Sequence, residues 1–225
     1  SIRNNDSGIL PEALKADIPI TPQETFVKGV YSLVDAAAAG RLEQLRDEQG
    51  IVSTCRLGCC HCCGNHNYIL MNILEAHTLT QYVKREFSVE HIDDLRMRTQ
   101  QWHEWDNSRR SRSPSVNVGN KTNLSDYDHC CPLLENGECG AYSVRPLVCR
   151  THFVCSDPLF CRVVHDPGSV KKTAVVLTSI VTAASPFSTA IKDHIENTGL
   201  DFSRSMMLLP HWLAIELDWE FAISL

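Results

Sequence analysis

Residues 55–63 read CRLGCCHCC, so five of nine consecutive positions are cysteine. Six further cysteines follow between positions 130 and 161, which makes eleven in the 225-residue chain. Three pairs are adjacent, at positions 59–60, 62–63 and 130–131. Neighbouring cysteines seldom bridge each other, because a disulfide needs Cα atoms about 5.5 Å apart and facing Cβ vectors. An odd, bunched set therefore predicts reduced thiols and a cytoplasmic protein.

The spacing of the first group suits a metal centre. Thiolates are soft donors, and four of them complete either a tetrahedral zinc site or the corners of an iron–sulfur cluster. The two or three residues between Cys55, Cys59 and Cys62 let the chain wrap around one centre. A second, distant group would close the shell, so metal binding would join two loops and contribute to folding.

Other interpretations of the thiols are weaker. Five cysteines in nine residues argue against a set of buried free thiols that act only as small hydrophobic side chains. A nucleophilic cysteine would need a lowered pKa and a nearby base. His61, His66 or His152 would have to supply that base, and we interpret each of them first as a bystander and second as a metal ligand.

The rest of the chain has the pattern of helices. Thr21 and Glu24 form a capping box with Pro22 at the first helical position, and Gly50 is a stop signal. Apolar residues at three- and four-residue steps then predict an inward face for three helices. These faces are Phe26, Val30, Leu33 and Ala37; Ile69, Ile73, Ala76, Leu79, Val83 and Phe87; and, after a Ser88 cap, Ile92, Leu95, Trp102 and Trp105.

Helical patterning returns in the C-terminal quarter, with Phe187, Ile191 and Ile195 before Gly199 and an apolar segment from Met206 to Leu225. Residues 1–20 are predicted to form a mobile N-terminal arm, and residues 107–128 a polar surface loop. The predicted fold is mainly α: one irregular helical domain over 21–225. Its two cysteine-rich metal-binding loops fall within 55–161.

The net charge and the hydropathy of the sequence argue against nucleic acid as a partner and against a membrane span. The net charge is −6 and the sequence pI about 5.9, which argues against nucleic-acid binding. The basic cluster Arg109–Arg112 is interpreted as part of a solvated loop. The longest apolar candidate, Thr173–Ala184, is too short for a membrane span and predicts a buried helix or strand. His103 and Glu104 are predicted to turn away from the apolar face of their helix, and we assign them no catalytic role.

Taken together, the cysteine pattern resembles that of a known family. After CRLGCCHCC come CPLL at 131–134, Cys139, and YSVRPLVCR at 142–150. This combination resembles the YkgJ-type cysteine-cluster family, described as zinc- or iron-chelating, over roughly residues 55–161. Cys60 and Cys130 fall outside the pattern. The metal ligands that the resemblance implies are Cys55, Cys59, Cys62, Cys63, Cys131, Cys139 and Cys149, with Cys155 or Cys161 as the eighth.

The resemblance also implies roles around the metal. Flagellin lysine N-methylases carry a related cysteine arrangement with an iron–sulfur centre, which favours a [4Fe–4S] cluster over zinc. Arg145 and Arg150 flank Cys149 and are expected to offset thiolate charge and donate hydrogen bonds. Glu75 is similar to a family feature and is expected to accept a hydrogen bond from a loop N–H or from one of these arginines.

The sequence thus predicts a metal-binding protein that holds an iron–sulfur cluster, or zinc, and acts in electron transfer or as an accessory to an unidentified protein partner. One alternative is a metalloenzyme similar to S-adenosylmethionine-dependent methyltransferases, although no glycine-rich strand-to-helix turn for a nucleotide is visible. The other alternative is a structural zinc module that holds an interaction surface.

Overall fold

Helices dominate the computed structural model, which describes residues 18–64, 69–112, 130–161 and 174–221. The predicted mainly α fold is confirmed. The helices are α1 (Pro22–Gln49), α2 (Ile73–Glu86), α3 (Val89–Arg112), α4 (Leu147–Arg150), α5 (Thr178–Asn197) and α6 (Leu209–Glu216). The short strands are β1 (Leu70–Asn72), β2 (Leu134–Glu135), β3 (Glu138–Cys139) and β4 (Met206–Leu208), and 3₁₀ turns cover Tyr142–Val144, Pro158–Cys161 and Phe202–Ser205.

Helix α1 begins and ends where the sequence predicts. The Thr21 hydroxyl accepts from the Glu24 N–H at 3.1 Å, the Glu24 carboxylate accepts from the Thr21 N–H at 3.0 Å, and Gly50 closes the helix with φ = 67°. The predicted inward face is partly wrong, because Leu33 is 51% exposed whereas Tyr31 is buried. The alanine run at 36–39 gives the helix little preference for one face, and packing against α5 sets the rotation.

The apolar stripe of α2 is confirmed at Ala76, Leu79 and Val83, with Phe87 buried just past the helix end. The residues before α2 form β1, which pairs antiparallel with β4. Three-residue strands are too short to show an alternating pattern, so the sequence does not reveal them. Asn72 ends β1 and caps α2, since its side chain accepts from two N–H groups of the first turn.

Helix α3 confirms the Ser88 cap, because the Ser88 hydroxyl accepts from the His91 N–H at 3.3 Å. It runs on to Arg112, so the polar loop does not begin at 107, and the basic cluster Arg109–Arg112 is helical rather than part of a loop. Arg109, Arg110 and Arg112 have high helix propensity and continue the helix despite its polar composition there. The remainder of that loop, and positions 1–17 of the predicted arm, lie outside the described residues.

Two main hydrophobic clusters hold the elements together. The larger joins α2, α3 and α6 with the segment 131–144, and includes Leu79, Leu95 and Leu213. The second joins α1 to α5 through residues such as Val27 and Ile191. In the described part of the predicted apolar segment, 174–184, the helix begins at Thr178. Val175, Val176 and Val181 are exposed, so the predicted burial of this segment is partly wrong. None of the described helices combines the length and apolarity that a membrane crossing requires.

His103 lies in the core, so its predicted outward orientation is wrong; Glu104 is exposed as predicted. The His103 ring nitrogen Nε2 lies 3.0 Å from the Pro210 carbonyl oxygen, and the ring centroid is 4.9 Å from that of His211. Helix α6 packs across α3 beside Trp102 and thereby covers a second strip of its surface. A helical pattern alone cannot show this second contact face.

The burial of His103 predicts acid sensitivity. Burial lowers the pKa of His103 below its ordinary value of 6.5, so the unfolded chain binds a proton more readily than the folded one. The free energy of unfolding is therefore expected to fall as the pH drops below about 6.5, by up to about 1.4 kcal/mol per pH unit. Urea denaturation at several pH values measures this slope.

His103→Gln should flatten that slope, whereas the matched variant of an exposed histidine, His91→Gln, should retain it. Burial also lowers the pKa of His152, so part of the slope is expected to persist in His103→Gln. Equal slopes in the wild type and in His103→Gln would contradict the assignment.

Candidate metal centre

All eleven cysteines are free thiols, and turns or short elements carry most of them. The first group lies in the turns of residues 55–63. Cys131 precedes β2, Cys139 ends β3, Cys149 lies in α4, and Cys161 ends a 3₁₀ turn. The cysteines of the second group, 130–161, are therefore carried by several separate short elements.

A small hairpin positions Cys131 and Cys139. Strands β2 and β3 pair antiparallel through Leu134 and Cys139, and the turn between them is Asn136-Gly137, with φ of 49° and 84°. Asn-Gly is the preferred sequence for such a two-residue turn. This hairpin was not predicted, although the Asn136-Gly137 pair is a signal for it.

Four thiols, Cys63, Cys131, Cys139 and Cys149, form what we call the inner thiols. The Cys131 N–H donates to the Cys63 carbonyl oxygen at 2.8 Å, which fastens the end of the first cysteine loop to the start of the second. Burial raises the pKa of Cys131 to about 12, with a further contribution from the charge of Cys139. Burial also raises the pKa of Cys149, and the charges of Cys131 and Cys139 add to it. These groups are therefore close enough to repel one another as thiolates.

Cys62 lies next to the inner thiols, with its Sγ 4.0 Å from Cys63 Sγ. The hydrogen bond between the two sulfurs lowers the pKa of Cys62 to about 7 and raises that of Cys63. The shared proton therefore stays on Cys63, and Cys62 becomes a thiolate near neutral pH. A thiolate is the form that binds a metal ion.

Three further thiols, Cys55, Cys59 and Cys161, form what we call the outer thiols. Burial raises the pKa of Cys161 to about 11, and the charges of Cys62, Cys55 and Cys59 contribute. The Val154 N–H donates to Cys55 Sγ across 3.3 Å. The structure thus brings Cys161 to the first cysteine loop.

The remaining cysteines are placed differently. Cys155 Sγ lies 3.7 Å from the Val175 carbonyl oxygen, and its side chain packs against the cluster of Ala38 and Leu177. Of the two candidates for the eighth ligand, Cys161 is the one that interacts with the first loop. Cys130 is exposed, with Sγ 3.7 Å from the Gly64 carbonyl oxygen. Cys60 is half-buried.

Glu75 is buried, at 3% exposed, and its charge interacts with Cys149, one of the inner thiols. Its carboxylate accepts from the Leu147 N–H at 2.7 Å, from the Tyr31 hydroxyl at 3.2 Å and from the Asn72 side-chain amide at 2.7 Å. The expected acceptance from a loop N–H is therefore present, at the first residue of α4. Glu75 fixes the helix that carries Cys149.

The two arginines make different contacts. The charge of Arg145 lowers the pKa of Cys139, in opposition to burial, which raises it. Arg150 is buried and donates from Nε to the Arg145 carbonyl oxygen at 2.8 Å and from Nη1 to Asp35 at 2.5 Å, while its guanidinium lies 4.0 Å from the centre of the Tyr31 ring. Arg150 thus joins α4 to α1. Arg145 lies 3.7 Å from the same Asp35 carboxylate, and its charge also acts on Cys139.

The histidines near the thiols are half-buried at positions 61 and 152, and His66 lies outside the described residues. Within the described ranges, no three Cys, His, Asp or Glu side chains already form a coordination shell. The donor chemistry nevertheless fits a soft metal. Several buried thiols raise one another's pKa, and a bound cation would supply the positive charge that lets them ionise together.

Comparisons with protein-family models, with curated proteins and with solved structures gave no match. The resemblance to the YkgJ-type family therefore rests on the cysteine pattern itself, and the assignment of function depends on the geometry of the thiols.

Proposed function

We propose that this chain is a metal-binding protein whose inner thiols hold an iron–sulfur cluster, and that it works in electron transfer with a protein partner. The observation that carries the proposal is that thiols from three segments lie close enough for their charges to interact: Cys63, Cys131 with Cys139, and Cys149. Cys131 is buried and the other three are half-buried. Four thiolates match the corners of a [4Fe–4S] cluster.

Backbone donors support this assignment. The backbone at Leu133 lowers the pKa of Cys131, and the backbone at Ala141 lowers the pKa of Cys139, each in opposition to burial. Such backbone groups and the charge of Arg145 stabilise sulfur that carries negative charge. When bound, the cluster supplies reversible one-electron transfer, while the protein sets the potential through these donors and through burial.

Exposed apolar side chains near the cysteines support a partner-binding role. Leu57 lies between Cys55 and Cys59 and is 77% exposed. Tyr142, Val148 and Leu159 stand within a few residues of other cysteines and are also exposed. A contiguous exposed apolar patch marks a surface that another protein covers, and we place the partner's contact at these side chains.

Metal analysis of protein purified without oxygen tests the proposal. We expect a brown sample with broad visible absorbance, and iron and acid-labile sulfide in equal amounts. Cys155→Ser is the matched control and should keep the iron, because Cys155 packs away from the inner thiols. A colourless sample that holds only zinc, or one without metal, would contradict the iron–sulfur assignment; the zinc result would support a structural zinc module instead.

A further inference from the structure

We propose that the outer thiols form a second, separate metal site, in which Cys55, Cys59 and Cys161, completed by Cys62, bind one divalent cation such as zinc. This inference adds a site to the proposed centre and does not depend on which metal the inner thiols hold. Backbone hydrogen bonds join the two ends of the first cysteine loop to two different segments of the chain, one at Val154 and the other at Cys131.

The beginning of the first loop is fastened to residues 153–156. The Thr54 N–H donates to the Val154 carbonyl oxygen at 3.0 Å, the Thr54 hydroxyl donates to the Ser156 carbonyl oxygen at 2.5 Å, and the Val154 N–H donates to Cys55 Sγ at 3.3 Å. The chain then runs directly from Ser156 through the short 3₁₀ turn that ends at Cys161. These contacts bring Cys161 to the side of Cys55.

The end of the same loop is fastened elsewhere. Cys63 accepts from the Cys131 N–H at 2.8 Å, and Cys131 begins the segment that carries Cys139 and Cys149. The two ends of a nine-residue loop therefore meet different segments, and each segment brings its own cysteines. Apart from Cys62, which interacts with both groups, the thiols divide in the same way by their electrostatic interactions.

The number of sulfurs matches two complete shells. Cys63, Cys131, Cys139 and Cys149 already supply four thiolates to the inner site. Cys62 interacts with members of both groups, and it supplies the fourth sulfur that Cys55, Cys59 and Cys161 lack. Four thiolates with short loop spacing are the usual set for tetrahedral zinc.

Variants that remove one sulfur from each site test the inference in the full-length protein as purified. Metal per chain is measured by elemental analysis, with iron, zinc and sulfide determined separately. We expect Cys161→Ser to lose one metal equivalent per chain and to keep the inner metal. Cys149→Ser should do the reverse, and Cys155→Ser should match the wild type.

Cys55→Ser serves as the second outer variant, because Cys55 is only half-buried and its replacement disturbs packing less than that of the buried Cys161. Circular dichroism confirms that each variant keeps its helices. If folded Cys161→Ser and Cys55→Ser both hold as much metal as Cys155→Ser, the outer site is wrong, while the inner proposal stands. If Cys149→Ser alone keeps all its metal, the inner proposal fails and the outer site stands.

Discussion

Replacing Cys149 with serine is expected to abolish metal binding at the inner thiols and to lower the melting temperature at the same time. A serine hydroxyl is a poor ligand for a soft metal, and Cys149 interacts with Cys131, Cys139 and Cys62. A ligand present at 100 to 1,000 times its dissociation constant stabilises the folded state by about 3–4 kcal/mol. For a domain of this size, its loss corresponds to a drop in melting temperature of roughly 6–16 °C.

Differential scanning calorimetry and elemental analysis of the same samples measure both effects. Cys155→Ser is the matched control, since it also replaces one half-buried cysteine in the second group but leaves the inner thiols intact. A Cys149→Ser variant with wild-type metal content and an unchanged melting temperature would show that the two cysteine groups do not share a site.

Glu75→Leu is expected to destabilise the protein strongly, at about 3–5 kcal/mol. The substitution leaves the Leu147 N–H, the Tyr31 hydroxyl and the Asn72 amide without their acceptor in a buried position. Each buried polar group that loses its partner costs about 1–3 kcal/mol. Because the Leu147 N–H begins the helix of Cys149, we also expect reduced metal content.

Glu75→Gln is the conservative comparison. One amide oxygen can replace one carboxylate oxygen, so some of the hydrogen bonds persist and the expected loss is about 1–2 kcal/mol. Urea denaturation measures both variants, and Glu104→Gln, at an exposed helix position, should lie within about 0.5 kcal/mol of the wild type. Equal stability of Glu75→Leu and Glu104→Gln would contradict a structural role for this carboxylate.

The helical fold follows from local signals in the sequence. The capping box at Thr21, the stop at Gly50 and the stripe of α2 predict their helices because each depends on neighbours within a few residues. The rotation of α1 and the burial of His103 depend instead on which helix packs against which. These helix–helix contacts join residues that are far apart in the sequence, so no local sequence pattern predicts them.

The cysteines show the same limit. The number and spacing of the cysteines predict thiolate chemistry. They do not show which sulfur atoms lie together in the folded chain. Cys161 interacts electrostatically with Cys62, Cys55 and Cys59, which lie about a hundred positions earlier in the chain, and no local pattern shows this. Likewise, a helical pattern places Glu75 at the edge of an apolar stripe, and only α4 packed above it explains why its carboxylate is buried.

The pairing of α1 with α5 has a consequence for synthesis on the ribosome. Val27 and Val30 pack against Ile191 and Ile195, which are translated long after them. The nascent first helix therefore exposes its apolar side until α5 has emerged, and such surfaces are the ones that chaperones recognise. Cys149 and Cys161 emerge before α5, so all the thiols of the two proposed metal sites have been synthesised before α1 can dock.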